Sequence, residues 1–119
     1  MRRDLVFGTS VEESVVAGTT SGNGNSIDTL RKYACKHMIA CDAFTSTITL
    51  KLQDSPDNST WTDVAASKMI GGSATVTLGA VNAVVQLAGF DLDRYQRVVF
   101  VSGAGTISGL AETADYLGS

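Results

Sequence analysis

The sequence predicts an all-β fold, an antiparallel β-sandwich of jelly-roll type with about eight short strands. Three observations point there. Residues 48–53 alternate apolar and polar side chains with the period of a strand. The 12 glycines, with many Ser and Thr, supply frequent turns. No stretch carries helical periodicity long enough for the crossover that a parallel sheet requires.

The clearest element is a hairpin over residues 48–64. Ile48, Leu50 and Leu52 fall on one face of its first strand, and Thr49, Lys51 and Gln53 on the other. Asp54, Ser55, Pro56, Asp57, Asn58 and Ser59 form the turn, in which Pro56 fixes φ and Asn58 tolerates a left-handed backbone. Trp61 follows, with Thr62, Asp63 and Val64 returning beside the first strand. Trp61 is expected to fold its indole over the leucine face as a core anchor.

The remaining elements follow in chain order. Residues 3–7 and 13–17 read as short strands. Residues 18–26 are almost wholly Gly, Ser, Thr and Asn, a composition that buries too little apolar surface to order itself. Residues 27–33 fit one helical turn or an edge strand equally well. Residues 34–41 are apolar on both faces and read as a central strand between two layers. Residues 65–70 fit a brief helical turn or a crossing connection, ended by Gly71 and Gly72. Strands are expected over 73–78, 83–87, 97–101 and 106–111, with a turn at Gly103 to Gly105 between the last two. The chain thus divides into an N-terminal arm with a flexible loop, 1–26, partly ordered by contacts, and a sandwich domain, 27–119.

At 119 residues the chain is sized for one domain with a real core. The net charge of −3 and the absence of any long Lys/Arg run exclude the electrostatic footprint of nucleic-acid binding. No apolar run reaches the ~20 residues of a transmembrane helix, and no extended apolar leader begins the chain, so cytoplasmic synthesis and no membrane partner are expected. Cys35 and Cys41 lie on one predicted strand about 20 Å apart, far beyond disulfide reach, and read as buried thiols.

Candidate chemistry is sparse. His37 is the only histidine. Cys35 could share a metal with it, but no CxxC-type pair completes a closed site, so a packed core histidine is the preferred reading. A Ser or Cys nucleophile would need that same imidazole as its base, and no carboxylate is placed beside it. Asp91 and Asp93 lack the rest of a calcium loop, and Gly103, Gly105 and Gly109 lack the Lys-Ser/Thr of a phosphate loop. No enzyme activity, catalytic residue, cofactor or metal is therefore expected. Trp61 and Phe100 are expected in the core, leaving Tyr95 or Tyr116 as rings that could stack on a glycan.

The stretch from Lys51 to Val64 resembles a hairpin that recurs in small virion proteins of tailed bacteriophages, with Asn58 where those hairpins carry glycine. The order of Ile27 to Leu30, the strand through Cys41, and Asp91 to Val99 is also similar, so the resemblance spans residues 27–111. It implies a capsid decoration or cement protein, a β-sandwich on the capsid exterior that binds the major capsid protein as a homo-oligomer. The expected contacts are in the N-terminal third, at Leu5, Val6, Phe7, Val15, Val16, Asn23 and Asn25. A tail or head-to-tail connector component, or a glycan-binding adhesion module, are the alternatives.

Overall fold

In a computed structural model, residues 9–30 and 32–115 are described. They form eight strands in one antiparallel sheet, as the sequence predicts in class and number. The strands are β1 (Thr9–Thr19), β2 (Gly22–Asn23), β3 (Ile27–Asp28), β4 (Lys32–Ser55), β5 (Thr62–Asp63), β6 (Thr75–Leu78), β7 (Val84–Ala88) and β8 (Tyr95–Asp115). A 3₁₀ turn, Ala66–Lys68, precedes Gly71 and Gly72, both at positive φ, which decides residues 65–70 for the helical turn.

Four of the expected strands are fused into two. Residues 34–41 and 48–53 belong to the single 24-residue β4, and residues 97–101 and 106–111 to the 21-residue β8. A straight β4 would run about 80 Å. The longest dimension of the molecule is only 47 Å, so the strand bends. Register shifts between Cys41 and Thr49 mark the place, opposite Gly103 and Gly105 of β8. Both glycines have positive φ, and a Cβ on Gly103 would stand 2.2 Å from the carbonyl oxygen of Thr47. The expected turn at Gly103 to Gly105 is thus a bend within a continuous strand. The same residue chemistry serves both, because each needs a left-handed backbone.

The bend divides the sheet into two halves. In the first, β1, the C-terminal part of β8, the N-terminal part of β4, and β7 lie side by side. In the second, the N-terminal part of β8 pairs with β2 and β3 on one side and with β4 on the other, and β4 carries β5 and β6. The inner faces share one core. Val15, Ile39, Cys41 and Ile107 come from the first half, and Ile48, Leu50, Leu52, Leu78, Val98 and Phe100 from the second. Ile48, Leu50 and Leu52 are all fully buried, as their alternation requires.

Residues 27–33, open between helix and strand, begin with the edge strand β3. The polar stretch 18–26 is held by backbone bonds that composition does not reveal. β2 pairs with Val99 and Phe100, the Gly24 N–H donates to Val98 O at 2.6 Å, and the Asn25 N–H donates to Ser14 O at 2.7 Å. A Cβ on Gly24 would lie 2.6 Å from Ser14 O, so the close approach requires glycine. The described part of segment 1–26 is therefore a border of the same sheet.

Candidate functional site

The two outward faces of the sheet differ in character because different side chains occupy alternate positions. On the second half, Lys51 Nζ meets Asp63 at 3.0 Å and Gln53 Nε2 donates to the same carboxylate at 2.8 Å. These bonds, Gln53 first and Lys51 second, hold the Asp63 carboxyl below its usual range. Arg97 Nε donates to Gln53 Oε1 at 2.8 Å and its guanidinium lies 4.1 Å from the centre of the Trp61 ring. The polar groups of this face satisfy one another.

Trp61 is accordingly not the expected core anchor. Gln53 pairs with Asp63, which places Trp61, two residues earlier, on the polar face with Gln53 and Lys51. Val64 takes the core position instead, 4% exposed, with its N–H donating to Leu52 O. The half-buried indole stacks under Arg97. Phe100 is in the core as expected, and half-buried Tyr95 is stacked by Arg94 at 4.9 Å, while Tyr116 lies outside the described residues.

On the first half the outward face is open and sets exposed apolar side chains among polar ones. Met38 of β4 pairs with Leu110 of β8 on one side and with Gln86 of β7 on the other. Leu110 pairs with Glu13 of β1. The neighbouring rows run from Val11 through Glu112 and Lys36 to Ala88, and from Ser108 through Ala40 to Val84. Val11, Val84 and Leu110 are each more than half exposed, and Met38 nearly so. An ion pair, Lys36 with Glu112 at 3.3 Å, lies on this face between β4 and β8. At one end the face runs into an open cleft of about 890 Å³, where Ala34, Ala88 and Ala114 meet Ile70, Phe90 and Leu92. Ile70 and Phe90 are also mostly exposed. Exposed apolar side chains gathered over four strands are a kind of surface that often serves in binding.

The sequence read residues 34–41 as apolar on both sides and therefore covered on both. Ile39 and Cys41 do face the core, but Met38 and Ala40 face outward.

The seven N-terminal contact residues do not form one patch. Leu5, Val6 and Phe7 lie outside the described residues. Val15 is 2% exposed and packs in the core, which removes it from any contact surface. The β-bulge between Glu13 and Val15 is the cause, since it breaks simple alternation along β1. Val16 is exposed on β1 in the first half, whereas Asn23 pairs with Val99 in the second. Asn25 is exposed, but its Nδ2 donates to Glu13 O at 2.9 Å and ties the loop to β1.

Between the two halves lies a buried polar centre. Ser14 Oγ is 2.8 Å from His37 Nδ1, and His37 Nε2 is 3.2 Å from Gln96 Oε1. An amide oxygen only accepts, so Nε2 carries the proton and the Ser14 hydroxyl donates to Nδ1. Burial lowers the His37 pKa to about 4, and the Gln96 bond opposes this. Cys35 Sγ is 3.6 Å from Nε2, and burial, with Glu12 nearby, pushes its thiol up to about 12. The group is a neutral clasp joining β1, β4 and β8. Ser14 and His37 have no exposed surface, so this serine meets no substrate in the folded chain. No cluster of metal-ligating side chains occurs among the described residues. The Ser14 partnership has no local signal in the sequence, because it joins residues 23 positions apart on β1 and β4, two strands separated by β8 in the sheet.

The fold has known counterparts. The crystal structure of the SPBc2 prophage-derived protein YomS superposes with a TM-score of 0.61 at 10% identity, covering 92% of this chain and 96% of that one. At such identity the likeness is one of fold. A chain from Bacillus endospore appendages, described as disulfide-linked pili, gives a TM-score of 0.49 at 13% identity over 96% of this chain and 88% of that one. No curated protein matches the sequence. The Bbp16 family model matches residues 9–114, and the chain belongs to the Bbp16 family.

Proposed function

We propose that this chain is a virion structural protein that decorates the exterior of an assembled phage capsid and stabilises it by binding the major capsid protein lattice. The observation that carries the reading is the open apolar face around Met38 and Leu110, set against a self-satisfied polar face on the other half. The hairpin resemblance to tailed-phage virion proteins supports it, and the shared fold of a prophage-derived protein is in keeping with it. The N-terminal segment with Leu5, Val6 and Phe7 adds to the contact in this reading.

Binding of this kind requires no chemistry. Each copy contributes binding energy to the assembled shell, and mass action over many copies raises the temperature at which the shell fails. A virion protein made in the host cytoplasm and added to a finished shell needs a stable fold with one sticky face, and this sheet provides both.

The test is capsid occupancy of Leu110→Lys and Met38→Lys proteins, read by quantitative gels of purified particles and by heat release of the packaged DNA. Reduced occupancy and a lower release temperature are expected. Full occupancy by both variants would overturn the assignment of this face. Copy number in the native particle separates decoration from a connector ring.

A further inference from the structure

From Met69 to Phe90 the chain contains no charged residue, and this stretch carries both β6 and β7. Edge strands in soluble proteins are commonly protected by charge, proline or bulges. β7 has none of these. Its regular register with β4 runs from Ala88 opposite Lys36 to Val84 opposite Ala40, and no other described strand pairs with it.

The direction of its backbone groups follows from the bonds at either end. The Cys41 N–H donates to Ala83 O, so Val85 and Leu87, at alternate positions of the same register, turn their polar backbone toward β4. Val84, Gln86 and Ala88 then point theirs away. The Ile70 N–H occupies Ala88 O at 2.9 Å, confirming the outward direction. Val84 and Gln86 are left presenting an N–H and a C=O each at the border of the apolar face.

We infer that the β7 edge is a docking site for an extended, uncharged segment of the capsid subunit, which adds to the sheet as an antiparallel strand beside Val84 to Gln86. The inference rests on the capsid reading and names its contact. Main-chain bonds would supply the affinity, and alternate apolar side chains of the segment would continue the row through Val84 and Ala40. The absence of charge from Met69 to Phe90 means that no ionic group is desolvated when the strand docks. A second copy of the chain fits less well. The free edge is about 10 Å long, and two rigid sheets meeting along it would cover far less than the ~800 Å² per partner of a stable interface. A flexible segment can continue past both ends and also cover Val81 and Ile70, which are more than half exposed.

The test is amide hydrogen exchange of the full chain, free and bound to capsids assembled without it, with Gln86→Pro as the accompanying variant. Proline removes an outward N–H and no bond to β4, and its fold is checked by circular dichroism. Val84 and Gln86 amides are expected to exchange at least tenfold more slowly on the capsid, and the proline variant to bind more weakly. Binding at full occupancy with unchanged exchange at both amides overturns the β7 site and leaves the capsid reading standing. Failure of the unaltered chain to bind capsids overturns both. Protection of these amides in the free protein that grows with its concentration overturns the choice of occupant in favour of a second copy.

Discussion

Ser14 and His37, 23 residues apart in the chain, share a 2.8 Å hydrogen bond in the interior and fasten the edge strand β1 to the central strand β4. Removing the hydroxyl leaves Nδ1 as a buried acceptor without a partner, which costs about 1–3 kcal/mol. Ser14→Ala is therefore expected to lower the urea midpoint measurably, while the same change at exposed Ser67 leaves it nearly unmoved.

The same imidazole sets a pH dependence. Its pKa falls from 6.5 to about 4 on folding, so the unfolded chain binds more protons between those values. Stability from this group is complete above pH ~6.5 and is lost as pH falls through about 4, a change on the order of 3 kcal/mol. Urea titrations at a series of pH values should show that slope, and His37→Gln should flatten it. An unchanged slope between pH 4 and 6.5 in the variant would overturn the assignment to His37, because Asp28, whose pKa the Arg94 hydrogen bonds lower from 3.8 to about 2, acts only below about pH 4.

At the bend, Gly103→Ala is expected to be severely destabilising. Its φ is +108°, and the new Cβ would meet the Thr47 carbonyl oxygen at 2.2 Å. Gly79 has open space around its Cβ position and no positive φ. Gly79→Ala should be neutral or stabilising by up to ~1 kcal/mol, from the reduced freedom of the unfolded chain. Thermal melts of the two proteins give the comparison directly.

Trp61→Ala should cost less than a core truncation, because the indole is half-buried and its partner is the Arg97 guanidinium. A loss of about 1–2 kcal/mol is expected. Leu50→Ala, at a site with no exposure, should cost about 2–5 kcal/mol. A Trp61 variant as damaging as the Leu50 variant would return the indole to the core.

Leu110→Lys should leave the melting temperature within a degree or two of the parent, since the side chain is 54% exposed, and surface changes away from special features stay within about 0.5 kcal/mol. Retained stability with lost capsid occupancy identifies a binding residue; a large drop in melting temperature identifies a structural one.

Much of the fold was legible where local chemistry and tertiary position agree. The alternation from Ile48 to Leu52 gives the correct buried face, and Asn58 adopts the left-handed conformation expected of it, with φ +62°. Trp61 was misplaced although parity with Val64 separates them, since neighbouring residues of a strand face opposite ways. Its size argued for the core, but register decided. The fusion of strands into β4 and β8 was hidden because bends and turns draw on the same glycines. The candidate site was less legible still. Met38 and Leu110 are ordinary apolar strand residues, and only their exposure, set by how the described strands are layered, distinguishes them from core.

The bend has a mechanical consequence. β4 and β8 pass without interruption from the apolar half to the polar half, hydrogen-bonded to each other along most of their length. A load applied to one face would run into the other half along two continuous main chains and be resisted in shear by the ladder on either side of the bend. The molecule is built as a folded strap, its two halves joined by main chain and not by side-chain contacts alone.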